Sequence, residues 1–421
     1  MSGQTASLVE RIAARATRPA PPTVVARARL HLLDWLACLA GARGEALATV
    51  ARAAEPLSPM RAALLGSALE MDDVDRAGRV HPGPVVWPAV LLALPADAPM
   101  SRLIDAGVAG YEATVAVARM LDDHHYARCH PTHTAGRFGA AAAAARAAGA
   151  DAWHTAQAMA IAGSSAGAYW QVRLEPASSK AFHAADAVAG GVRAARLALS
   201  GMTGPRQVLE GPEGLFAALC RAPAPLPEPT GFLIEGVSLK PWPACRHAHP
   251  AIDAALALPP DALRDGPIRV ATFADALRFC DRPHPTTPGE ARFSLQHALA
   301  VVTVRGRPRP ADFLADALAD PRLQTARARV EVAVDPELEA AYPAHFGARI
   351  EAQGQRALVR DAWGDPENPM DEPAVVAKLR TLARHGGLGE ADADEARALA
   401  LDTPTDAPAA PLIRLVERWL G

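Results

Sequence analysis

The segment HPTHTAGRFGAAAAAARAAGAD, His130 to Asp151, carries the densest chemical signal in the chain. Two histidines bracket Pro131 and Thr132, a glycine-spaced turn follows, and then comes a run of alanines with almost no side-chain volume. A helix built this way lets other backbones approach closely, and its first turn offers unpaired N–H groups beside two imidazoles. That suits a buried anion site with a proton-transfer group at hand. It suits equally well a tightly packed alanine-rich core helix with a polar start.

Four polar clusters interrupt the apolar background. LEMDDVDRAGRVHPG sets Glu70, Asp72, Asp73 and Asp75 ahead of His81 and a Pro-Gly turn. Carboxylates at this density either bind a divalent cation or form a solvated acidic loop, and EF-hand spacing is absent. DDHHYARCHPTHTAG gathers Asp122, Asp123, His124, His125, Cys129, His130 and His133 without HExxH or another recognised ligand spacing. An acid/base role for His130 or His133 therefore outweighs a metal site, and no metal is expected. SSKAFHAADA pairs Lys180 with His183, and SLKPWPACRHAHPAIDA joins Lys240 to Cys245, Arg246, His247 and His249. Lysine is scarce among the 43 basic residues. Each lysine in apolar sequence is therefore either a surface charge or a cleft group that binds carboxylates and changes its pKa.

The elements that must position these residues are mostly helices. Val24, Val25, Leu30, Leu33, Leu36 and Leu39 recur at helical spacing between Pro22 and Gly41. MSRLIDAGVAGYEATVAVARML is helical with Ser101 as its cap, and AWHTAQAMAIAG and HAADAVAGGVRAARLALSG repeat the pattern. Their small residues predict close antiparallel packing. The texture changes at the proline-rich connector APAPLPEPTG. IRVATFADALRF, ARVEVAVD and, more weakly, RALVRDAWG predict strands around helical ARFSLQHALAVV and ADFLADALAD. AVVAKLRTLARH and PLIRLVERWLG return to helix. The expectation is a mainly α fold: a large discontinuous helical domain, 1–237 completed by 371–421, with a smaller α+β lid at 238–370.

Bulk properties narrow the function classes. A length of 421 residues exceeds one ordinary core. A net charge of -3, with no basic run interleaved with aromatics, gives no reason to expect nucleic acid. The five cysteines are scattered and never spaced as CxxC, which fits a reducing cytoplasm. Glu10, Arg11 and Arg15 interrupt any signal-type apolar core, and no uncharged run approaches the ~20 residues that span a bilayer. A soluble cytoplasmic protein is expected.

Taken jointly and in order, HPTHTAGRFGAAAAAARAAG, SSKAFHAADAVAGG…GMTGP and LKPWPACRHAHPAIDA resemble the 2-methylcitrate dehydratase (MmgE/PrpD) family. That family also includes cis-aconitate decarboxylase and iminodisuccinate epimerase. ARLHLLDWLACLAG, HPGPVVWPAVLLAL and RPHPTTPGEARFSLQHALA fit it as well, so the resemblance covers nearly the whole chain. It implies a homodimer that needs no metal or organic cofactor, acts on a small carboxylate and holds its site between helical domain and lid. Carried over by position, the site is Glu70, His81, His130, Lys180 and Lys240, with Phe279 from the lid. Glu70 stands where the decarboxylase usually has Asp, and Phe279 where a Tyr donates its hydroxyl. The acidic block is also one residue longer.

The missing phenol counts against decarboxylation. His133, Arg246 and His247 are candidate replacement donors, and Asp73 joins them as a substrate-binding candidate. The chemistry implied is proton loss or CO2 loss beside a carboxylate, so the site must neutralise negative charge. Lys180 and Lys240 are expected to clamp carboxylates, with Lys240 an exposed cleft lysine carried in by lid closure. His130 moves the proton and His81 works on the opposite face. A hydro-lyase acting on a 2-methylcitrate-like di- or tricarboxylate is the leading reading. An epimerase of a substituted succinate, a decarboxylase and a non-catalytic scaffold are the alternatives.

Overall fold

Pro22 enters its helix in the first turn, where a missing N–H has no helical partner to lose, and the helix runs to Ala42. The computed structural model describes residues 5–175, 177–228 and 230–421. Its helices are long in the first half, and the alanine-rich one, Pro131–Ala147, lies at the centre. Ala140 through Ala145 are fully buried. The helices Gly83–Ala93, Met100–Met120, Ala152–Gly163 and Lys180–Leu199 all pack against it. Small residues make that crowding possible. A Cβ on Gly139 would lie 1.7 Å from Thr114 Oγ1, and one on Gly191 would lie 2.7 Å from the Ala141 nitrogen. The opening segment is thus a tightly packed core helix with a polar N-terminus.

Four strands form one small mixed sheet in the order β2-β1-β3-β4. β1 (Ile268–Thr272) pairs in parallel with β2 (Val330–Val334), Ile268 opposite Val330. β3 (Ala348–Ala352) runs antiparallel to β1 and turns into β4 (Gln355–Val359) through Gln353 and Gly354. Both turn residues have positive φ, 46° and 75°, as a tight hairpin turn matched to strand twist requires.

Three local expectations need correction. The strand read through IRVATFADALRF stops at Thr272. Ala274–Cys280 is a helix, because Ala276, Phe279 and Cys280 are buried at helical spacing. Ser101 is not a cap: Pro99 occupies that position, and the Ser101 N–H donates to the Thr405 carbonyl at 2.7 Å. β3 was not anticipated at all.

Two main apolar cores result, with two small satellite clusters among the described residues. The larger draws on residues from Val9 to Leu239 and again from Met370 to Leu420. The smaller runs from Trp242 to Ala352, joined by Tyr126 and Trp170. The fold is therefore mainly α with a small α+β part, and the chain passes from one core to the other between Leu239 and Trp242 and back between Ala352 and Met370. The junction is not a loose hinge. Ser238 and Val74 exchange backbone hydrogen bonds at 2.8 and 2.9 Å, and the Leu239 N–H donates to the Gly364 carbonyl at 2.9 Å. Asp365, fully buried, accepts from Ser238 Oγ at 2.6 Å and pairs with Arg76 and Arg246.

Candidate active site

The acidic loop is buried rather than solvated, and each carboxylate has cationic or N–H partners. Asp75 takes the Gly78 N–H at 2.7 Å and the Arg119 guanidinium. Asp73 takes the Gly83 N–H at 2.8 Å, the Tyr111 hydroxyl at 2.5 Å and His31 Nδ1 at 2.8 Å. Asp73 is thus committed to holding the start of the Gly83–Ala93 helix. It does not reach the cavity described below, which corrects its expected place at the substrate. Asp72 pairs with Lys240 at 3.3 Å and His81 at 2.8 Å. Burial alone would raise the Asp72 pKa, but Lys240, His81 and Lys180 outweigh it and hold the carboxyl well below the usual range.

All three lysines of the chain converge on this loop. Lys180 forms a short ion pair with Glu70, whose backbone sits at φ 55°. Positive φ in a non-glycine residue is strained and concentrates at functional sites. Lys240 lies 3.8 Å from the other Glu70 oxygen. Lys378 donates to the Met71 carbonyl and to Asp34, both at 2.6 Å. Burial opposes the charge on Lys180, yet Glu70 and Asp72 prevail and raise its pKa above the ordinary value. Lys240 is fully buried. It is therefore a counter-charge behind the wall, bracing Glu70 and Asp72, and not the exposed cleft clamp that the sequence suggested.

Glu70, His81, His130 and Lys180 line one cavity of about 530 Å³, together with Cys245, Arg246, His247 and Phe279. His81 donates its backbone N–H to Thr132 Oγ1 at 3.1 Å, and its Nδ1 points at the Asp73 carbonyl at 3.1 Å. A carbonyl only accepts, so Nδ1 carries a hydrogen and any free lone pair of the ring is on Nε2. His130 precedes the first turn of the central helix. Its ring packs 4.2 Å from Trp170, and its Nδ1 meets His183 Nδ1 at 3.1 Å. Burial, then Lys180 and His183, push the His130 pKa well below its ordinary value, so the ring is neutral near pH 7. The His81 and His130 ring centroids lie 6.5 Å apart.

His133 is elsewhere. Its Nδ1 accepts the Gly167 N–H at 3.1 Å, which fixes the hydrogen on Nε2, and Nε2 donates to Asp186 at 2.8 Å. It joins the central helix to Lys180–Leu199 and does not line the cavity, which corrects its expected role as a donor to substrate. The rest of the histidine-rich segment is dispersed among separate partners: Asp122 caps the helix Asp123–Tyr126, and His125 Nε2 meets Thr134 Oγ1 at 2.9 Å. Elsewhere among the described residues, His345, Asp361 and Glu367 bring potential ligand atoms within 4.8 Å of one another. Arg76 already pairs with both of those carboxylates, at 2.9 and 2.7 Å.

Sequence reading named Arg246 but missed two other arginines of the cavity wall. Arg173 lies over the Trp170 and Phe279 rings, at 4.6 and 5.0 Å, and its Nη1 is buried without a hydrogen-bond partner among the described residues. Burial, then Arg278, lowers its pKa to about 10, and no carboxylate pairs with it among the described residues. Arg282 donates to the Arg173 carbonyl at 2.9 Å and likewise shows no ion pair there. A desolvated guanidinium facing a cavity without a counter-ion is a place for an anionic ligand. The only signal in the sequence was WQVR just ahead of the Lys180 cluster.

The family model described as the MmgE/PrpD N-terminal domain matches residues 43–227, and that described as the MmgE/PrpD C-terminal domain matches 242–403. The chain is 28% identical to the Homo sapiens protein named cis-aconitate decarboxylase over 226 residues, 50% of this chain and 46% of that one. It is 30% identical to the Mus musculus protein of the same name over 192 residues, 42% of this chain and 39% of that one. It is 31% identical to the Cupriavidus necator protein named 2-methylcitrate dehydratase over 177 residues, 39% of this chain and 37% of that one. The matched regions thus span less than half the length of these relatives.

Proposed function

This chain belongs to the MmgE/PrpD family, and on that premise we propose that it is a cofactor-independent hydro-lyase acting on a 2-methylcitrate-like di- or tricarboxylate. The observation that carries the reading is the convergence of Glu70, His81, His130 and Lys180 on one cavity that also holds arginines without carboxylate partners. His81, oriented through Nδ1 and beside the Asp72 carboxylate, is the base that takes the proton next to a substrate carboxylate. Lys180 and Arg173 meet the charge that develops as the C–H bond breaks. His81 then passes the proton it has taken to the departing hydroxyl, which leaves as water, while the neutral His130, across the cavity, hydrogen-bonds that oxygen.

The facing imidazoles also favour one alternative, an epimerase that exchanges a single proton between two faces. Proton NMR in D2O with 2-methylcitrate, cis-aconitate and iminodisuccinate separates these readings. Dehydration consumes the hydroxy acid with an alkene appearing. Exchange without net product makes the protein an epimerase, and loss of CO2 makes it a decarboxylase. A substrate panel left wholly unchanged would sink the enzymatic reading. No helix among the described residues is long and apolar enough to cross a membrane. We further read the protein as a cytoplasmic homodimer, which sedimentation velocity tests by its mass.

A further inference from the structure

We propose that His247 presents an Nε2–H to a carboxylate oxygen of the substrate, and that Cys245 is the positioning residue that keeps the hydrogen there. Cys245, Arg246 and His247 all line the cavity. Cys245 Sγ lies 3.2 Å from His247 Nδ1, so one ring nitrogen is already engaged. The other, Nε2, is buried and has no hydrogen-bond partner among the described residues. The ring cannot readily swing away to find one. It stacks on Phe279 at 4.8 Å with an interplanar angle of 6°, and it packs against Phe346 at 5.3 Å and Phe273 at 5.6 Å. Phe279 and Phe346 share the cavity wall and offer no polar atom. Buried polar atoms in native proteins have partners, and an orphan on a cavity wall points to a ligand.

The contact with sulfur decides which form the ring takes. When the Cys245 thiol donates to Nδ1, the single ring hydrogen of neutral His247 must sit on Nε2. When Cys245 is a thiolate facing an imidazolium, both ring nitrogens carry hydrogen. Nε2 is a donor in either case. A neutral ring whose Nδ1–H donates to the sulfur, whether thiol or thiolate, would reverse this. The Cys280 thiol, which hydrogen-bonds to the same sulfur, and His247 both favour negative charge on Cys245 against the opposing effect of burial. Lys180 and the arginines supply charge to the cavity, and His247 adds a directional donor held between Phe279 and Phe346.

This inference rests on the carboxylate reading above, and the test keeps the two apart. In protein labelled with 15N-histidine, long-range proton–nitrogen correlation reports the His247 tautomer, with the signal identified by its loss in His247→Gln. The wild type and Cys245→Ser should show Nε2–H. Cys245→Ala should show a tautomer mixture and lose about tenfold in kcat/KM, mainly through kcat, with serine restoring it. Titration with 1,2,3-propanetricarboxylate, which carries no hydroxyl to eliminate, should shift the His247, His81 and His130 signals together. A wild-type ring bearing only Nδ1–H overturns the proposal whether or not the variants fold. Shifts at His81 and His130 without one at His247 overturn the donor role and leave the carboxylate site standing. No shift at any of the three removes both.

Discussion

At the scale of single residues, the separation between wall and support governs what substitutions do. Lys240→Ala strips a buried counter-charge from Asp72 and Glu70. Breaking a buried pair from one side costs about 3–5 kcal/mol, so this variant should lose stability as well as turnover, which urea unfolding measures. Lys180 is the only lysine on the cavity wall. An amine-directed reagent such as acetic anhydride should therefore modify Lys180 in the native fold and leave Lys240 and Lys378 untouched, as peptide mass mapping would read. Modification of Lys240 at the same rate would contradict its placement. His130 and Lys180 stood out as polar groups set in apolar sequence, whereas Glu70 and His81 were singled out around the acidic block by the family resemblance. Arg173 and Arg282 were not, because arginine is common here and only the fold reveals which guanidinium lacks a counter-ion. Asp73 and His133 misled for the complementary reason. Buried polar groups that orient the backbone look the same in sequence as groups that meet a ligand.

At the scale of elements, the site depends on how closely helices approach behind it. His130 stands at the head of the central helix, and Gly139 lets that helix touch Met100–Met120. Gly139→Ala adds a methyl where Thr114 Oγ1 already sits. Overpacking costs about 1–3 kcal/mol and outweighs the ~1 kcal/mol gain in helix propensity. Thermal unfolding followed by circular dichroism should show a lowered Tm, and an unchanged or raised one would contradict the packing account. The long helices could be read from their spacing and small residues. β3 could not: ARIEA is five residues long, has a single β-branched residue and owes its strand state to pairing on both sides. The helix Ala274–Cys280 was hidden for the same reason, since its apolar residues also continue an alternating pattern from β1.

At the scale of the whole molecule, buried neutral histidines set the acid limit. Burial, the leading cause in each case, lowers the pKa of His31, His125 and His297 to about 4, and His130 and His249 lie well below their ordinary value. A depressed histidine pKa means that the unfolded chain binds the extra proton. The stability concerned is complete above about pH 6.5 and is lost as pH falls toward the folded pKa, at ~1.4 kcal/mol per pH unit for each histidine. Denaturation midpoints should therefore fall steeply between pH 6.5 and 4, whereas a flat profile between pH 7 and 5 would show these rings to be already charged in the fold. Both cores contribute to this limit, since His297 and His249 belong to the α+β part. The central claim, however, concerns the cavity between the acidic loop and the central helix. It is tested most directly by following 2-methylcitrate in D2O by proton NMR with the wild type and with His81→Gln. The account predicts dehydration by the wild type and a loss of at least ~10²-fold in the variant, the usual share of a general base, with its circular dichroism unchanged. Equal turnover by the two proteins would contradict it.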